Sequence, residues 1–73
     1  MTSGESMATV EFYEDALHTR MIGAVYLGLP RLQENVELLG RDLCRARKMD
    51  CVECVVYDEE GNAEDQFTVF RRR

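Results

Sequence analysis

No apolar run in this sequence approaches the roughly 18 residues that a membrane-crossing helix needs. The longest candidate, Met21 to Leu29, has no basic stretch before it and no small-residue cleavage pattern after it, so no secretion signal is apparent. Histidine occurs once, at His18, and neither a nucleophile nor an orienting group for it is identifiable, as nucleophilic catalysis would require. The glycines fit no phosphate-cradling fingerprint, and the acids lack the spacing of a calcium loop. A paired-carboxylate hydrolase needs a substrate cleft that so small a domain rarely holds. The expectation is a protein that is not an enzyme and carries no cofactor or resident metal.

The chain has 73 residues, enough for one core and too few for two. A domain of this size buries only about 60% of the surface its unfolded chain exposes, and oligomerisation is a common remedy. Residues 1–7 (MTSGESM) are small, polar and glycine-containing, and read as a disordered tail. Residues 8–70 form the expected domain and 71–73 a basic tail.

The three cysteines, Cys44, Cys51 and Cys54, are an odd number without a secretion signal. That points to reduced thiols and a cytoplasmic setting. Cys51-x-x-Cys54 lies among valines in an expected strand, where positions i and i+3 face opposite ways. The favoured reading is therefore packing as small hydrophobes, with Cys44 at the flank of a helix, partly exposed and open to intermolecular oxidation. A zinc or redox site from these three, with His18 completing a Cys3His set, is the lesser alternative. For His18 itself, pairing with Glu14 or Asp15 is the plain account.

Thr9 to Glu14 alternates Val10 and Phe12 with Thr9, Glu11 and Tyr13, a strand signature. Met21 to Leu27 reads as a second strand through Ile22, Val25 and Tyr26. Leu17, Met21, Ala24 and Gly28 also fall at helical spacing, so a helix over 15–27 is the alternative. The intervening residues lack the glycine, asparagine or proline of a tight hairpin. Pro30 to Lys48 predicts a long helix opened by proline, with Leu32, Val36, Leu39, Leu43 and Ala46 as its apolar stripe. Gly40 inside it costs roughly 1 kcal/mol relative to alanine and marks a close contact. Cys51 to Tyr57 and Gln66 to Phe70 predict two strands around DEEGN, where Gly61 supplies a positive φ. The fold class is α+β in ββαββ order, a four-stranded, mainly antiparallel sheet with one long helix on one face; βααββ is the alternative. The strand-to-acidic-turn segments beginning at Val10 and Val55 echo each other faintly. The organisation resembles that of many small bacterial and viral proteins, at the level of fold alone.

Charge is blocked rather than mixed. Seven acids and no base lie between residues 49 and 66, while Arg41, Arg45, Arg47 and Lys48 precede them and Arg71, Arg72 and Arg73 follow, in a chain of net charge −5. Val55, Tyr57 and Phe70 would face away from the helix, leaving an apolar surface for a partner. The expected function is protein binding, as a homodimer, an inhibitor or a regulator that occupies a basic, nucleic-acid-binding surface of another protein. The expected contacts are Val55, Tyr57, Asp58, Glu59, Glu60, Glu64, Asp65 and Phe70. The alternative is direct nucleic-acid binding through Arg45, Arg47, Lys48, Arg71, Arg72 and Arg73. It ranks lower because the chain is acidic and lacks the basic, aromatic stripe of an RNA-binding sheet.

Overall fold

The computed structural model describes residues 6–72. Its elements run β1 (Met7–Tyr13), β2 (Met21–Gly28), α1 (Leu32–Arg47), β3 (Cys51–Tyr57) and β4 (Ala63–Phe70). The strands form one sheet in the order β2-β1-β3-β4, antiparallel throughout. The ββαββ reading therefore holds, and β2 takes its strand form rather than the helical alternative. The two strands that echo each other in sequence are the central pair, with Val10 opposite Val56 and Phe12 opposite Cys54. Of the two expected tails, residues 1–5 and Arg73 lie outside the described residues. Among the described residues, no helix is long and apolar enough to cross a membrane.

Alternation along the strands sorts side chains to two faces. Ala8, Val10 and Phe12 of β1, Val52, Cys54 and Val56 of β3, and Val69 of β4 join Val36 and Cys44 of α1 in one buried cluster. The helix lies chiefly over β3 and β4. Its buried line is Val36, Gly40 and Cys44, whereas Leu32, Leu39 and Leu43 pack half-buried at its flanks and Ala46 is exposed. This corrects both the predicted stripe and the partial exposure predicted for Cys44. The small residues let the helix approach the sheet closely: a Cβ at Gly40 would fall 2.9 Å from Val69 Cβ and Cγ1. Leucines, which dominate a hydropathy pattern, are too large for that line and straddle it.

Three boundaries also differ from expectation by two residues or more. Met7 opens β1 two residues early, and Glu59 accepts its N–H at 3.1 Å. Pro30 does not start the helix. It sits in a turn in which Leu32 N–H donates to Leu29 C=O and Arg31 has φ 64°. Proline followed by a positive φ is a type II pattern, and it delays α1 to Leu32. β4 begins at Ala63 rather than Gln66, because a bulge at Glu64 lets Asp65 pair with Val56 and Ala63 with Tyr57.

The β1–β2 connection solves its lack of turn residues with a carboxylate. Asp15 accepts the N–H groups of Thr19 and Arg20 and the Thr19 hydroxyl, and His18 supplies a positive φ of 59°. The Thr19 hydroxyl bond holds the Asp15 carboxyl below its usual range. His18 is not paired with Glu14 or Asp15 through its side chain. Its ring tilts against Tyr13 at 4.9 Å, which corrects that expectation.

Candidate functional site

The face of the sheet turned away from α1 is covered by no other element among the described residues. Cross-strand register fixes what lies on it. One row runs Tyr26, Thr9, Tyr57, Ala63; the next Ala24, Glu11, Val55, Gln66; the next Met21, Tyr13, Glu53, Thr68; Cys51 and Phe70 close the end. The only charged side chains in these rows are Glu11 and Glu53, and there is no base. Tyr26 and Phe70 are 62% and 61% exposed. Val55 is 4% exposed although no helix covers it, because it sits between the longer side chains of Glu11 and Gln66.

Both carboxylates are held. Tyr13 donates its hydroxyl to Glu11, and Thr68 donates to Glu53 at 2.9 Å. The bond to Glu11 is the main reason the Tyr13 phenol is pushed up to about 12. Ionising it would set a phenolate against a carboxylate, so Tyr13 stays a donor across the physiological range.

At the turn end of this face lies an open groove of about 510 Å3, lined by Thr9, Glu11, Tyr26, Tyr57, Asp58 and Glu59, with Gly61 at its lip. Its shape follows from the pleat and the turn. Tyr26 and Tyr57 are both opposite Thr9, on strands that flank β1 and so lie roughly 9.6 Å apart, two strand spacings. A small residue between two rings leaves a trough. The turn that carries the acids is closed by hydrogen bonds. Asp58 accepts the N–H groups of Glu60 and Asn62 at 2.9 Å, and Gly61, with φ 88°, donates to the Asp58 carbonyl.

Of the eight expected contact residues, Tyr57, Asp58 and Glu59 meet in this groove, and Val55 lies beside it. Phe70 is on the same face at the far end. Glu60 and Glu64 turn toward a different hollow, beside Ser6 and Leu29. Asp65 lies on the helix side, near Leu32 and Gln33, because it is opposite Val56 and in step with Phe67 and Val69 along β4. These three therefore do not join the groove. Thr9, Glu11 and Tyr26 do join it and were not among the expected contacts. The alternation of Thr9 and Glu11 against Val10 and Phe12 carried that signal, but the pairing partner of β1 was needed to use it.

The arginines gather at the opposite end of the β3–β4 hairpin. Arg41, Arg45, Arg71 and Arg72 line a shallow depression, joined because Arg71 N–H donates to Asp50 C=O at 2.8 Å. Arg45 pairs with Asp42 at 3.2 Å and Arg41 with Glu37 at 3.5 Å. Arg41 Nε is buried without an acceptor among the described residues. Arg47 and Lys48 are exposed and outside the depression. Arg41 is thus a member that sequence reading left out of the cluster.

The thiols do not assemble. Cys54 is buried under α1, and burial pushes it up to about 12. Cys44 is buried as well, its Sγ 3.9 Å from Val69 C=O, and is likewise raised, chiefly by burial. Cys51 is on the open face opposite Phe70. Among the described residues no group of three or more potential ligands is placed to hold a metal. No protein-family model, curated protein or solved structure matches the chain.

Proposed function

We propose that this protein is a non-catalytic interaction module of the cytoplasm whose open sheet face takes a basic surface of another protein, as an inhibitor or regulator of that partner. The observation that carries the reading is the groove between Tyr26 and Tyr57, walled by Glu11, Asp58 and Glu59. Two tyrosines on strands two spacings apart leave room between them for a planar guanidinium. Cation–π contact contributes about 0.5–2 kcal/mol, and a carboxylate beside it adds a charge-assisted hydrogen bond of about 1.5–3 kcal/mol. The rows around the groove hold no base that would repel an incoming cation. A protein surface built to grip phosphates presents arginine and lysine in this way, so occupying it would block nucleic acid.

A second copy fits this face poorly. In a twofold contact each residue near the axis meets its own counterpart, which would bring the acids Glu11 and Glu53 of both copies together.

The reading is tested by titrating an oligo-arginine peptide and, separately, an oligo-glutamate peptide, with amide chemical shifts recorded by NMR. Saturable shifts should appear with oligo-arginine alone and centre on Thr9, Tyr26, Tyr57 and Gly61. Glu11→Gln/Glu59→Gln should weaken binding about tenfold or more, one such charge-assisted bond being sufficient for that factor. Shifts spread evenly over every acid, including Glu34 and Glu37 on the helix, would sink the reading.

A further inference from the structure

We infer that two copies of this chain pair through the free edge of β2, in antiparallel register about a twofold axis at Val25, to make a continuous eight-stranded sheet. The sheet order leaves β2 and β4 as edges, and they differ in chemistry. β4 carries Glu64 and Asp65 within its span, which discourages strand addition. β2 reads MIGAVYLG, eight residues with neither a charge nor a proline; a bulge at Ile22 interrupts its start, and the regular stretch from Gly23 to Gly28 is an uncharged edge that can template another strand. Pairing β2 with itself is free of the like-charge contact that β4 with β4 would create. It also closes as a dimer, whereas β2 on β4 would propagate head to tail.

The surroundings of β2 make the same case. The helix lies chiefly over β3 and β4, so the helix-side surface of β2 is only half covered. A largely apolar groove of about 430 Å3 remains between this strand and α1, lined by Phe12, Val25, Leu39, Leu43 and Ala46, with Asp42 at its rim. Asp42 is held by Arg45. Met21 and Tyr26 on the other side of β2, and Leu29 just past it, are exposed. An edge strand, a bare flank of the core and exposed apolar side chains therefore coincide in one place.

Register follows from the pleat. Side chains must keep to their own face across the new seam, so paired residue numbers must sum to an even value. An axis at Val25 then sets Gly23 opposite Leu27 on the helix side and Ala24 opposite Tyr26 on the open side. In both of these pairs a large residue meets a small one. A Cβ at Gly23 would find only Leu43 within 4 Å, at 3.8 Å, so there is space beside it for the second copy's Leu27. The inference does not depend on the basic-partner reading, because edge pairing needs no acidic side chain, although Tyr26 belongs to both surfaces, lining the groove and standing opposite Ala24 across the seam.

Two measurements on the intact protein test it. Sedimentation at high-micromolar concentration should give twice 8.4 kDa. Amide hydrogen exchange in alternate residues of β2 should slow markedly as concentration rises, with β4 amides unchanged. Val25→Lys would oppose two ammonium groups across the axis and should sediment as a monomer while keeping its circular dichroism. Should that variant fail to fold, the wild-type exchange measurement still decides. A wild-type monomer at high concentration overturns the inference, as does a dimer whose concentration-dependent protection falls on β4 or on no strand.

Discussion

Cys51 and Cys54 are three residues apart, and the pleat of β3 sends their sulfurs to opposite sides of the sheet. That much was legible, because strand alternation depends on nothing outside the strand. Cys44 was misjudged for a reason that is also physical. Its depth depends on which way α1 rolls, and α1 rolls to place Gly40 on Val69, a contact between segments far apart in sequence. The consequence can be measured with an aromatic disulfide reagent on native protein near neutral pH. The thiolate is the reacting species, and burial raises both Cys44 and Cys54. Cys51 alone should react promptly, with the other two thiols appearing only on denaturation. Prompt reaction of all three would mean that the helix does not seal the β3–β4 side of the core.

Gly40 defines how α1 meets the sheet, and it separates helix propensity from packing. In an isolated helix Gly40→Ala would stabilise by roughly 1 kcal/mol. Here the new methyl group would land on the branched carbon of a buried valine, and overpacking of this kind costs about 1–3 kcal/mol. The single variant should therefore be destabilised, by about 1 kcal/mol in urea unfolding. Combining it with Val69→Ala should recover part of the loss that the two substitutions cause separately, a favourable coupling of about 1 kcal/mol or more. A stabilised single variant would contradict the close approach. At this scale the order of elements was legible from periodicity and from Gly61, and the glycine was correctly read as a contact. The ends were not. Pro30 fits a helix start and a turn equally well until Arg31 adopts its positive φ, and β4 extends back to Ala63 only because β3 offers partners to Asp65 and Ala63 on either side of the bulge at Glu64.

Across the whole molecule, the β3–β4 hairpin converts charge blocks in sequence into charge poles in space. Asp58 and Glu59 stand at its turn, and Arg71 and Arg72 leave its open end, separated by the length of β3, roughly 20 Å at 3.3 Å per residue. The blocks themselves were visible in the chain. Their separation, and the recruitment of Arg41 to one pole and Glu11 to the other, required the register of the strands and the direction of the helix. Two poles at this distance are screened from each other at physiological ionic strength, where the Debye length is about 8 Å. Each should therefore act as a separate surface, and net charge should be a poor guide to binding. Arg71→Gln/Arg72→Gln tests this, since it makes the chain more acidic without touching the groove. For an oligo-arginine peptide, affinity at physiological salt should stay within about twofold of wild type, with a faster association at low salt as the repelling pole weakens. If the arginine pole is instead a site for phosphates, wild-type protein will retard a single-stranded oligonucleotide at low salt, and the same substitution will abolish that retardation and flatten its salt dependence. The peptide result then measures the acidic face and the oligonucleotide result the basic one. Retained peptide binding with no oligonucleotide retardation at any salt assigns recognition to the tyrosine groove alone.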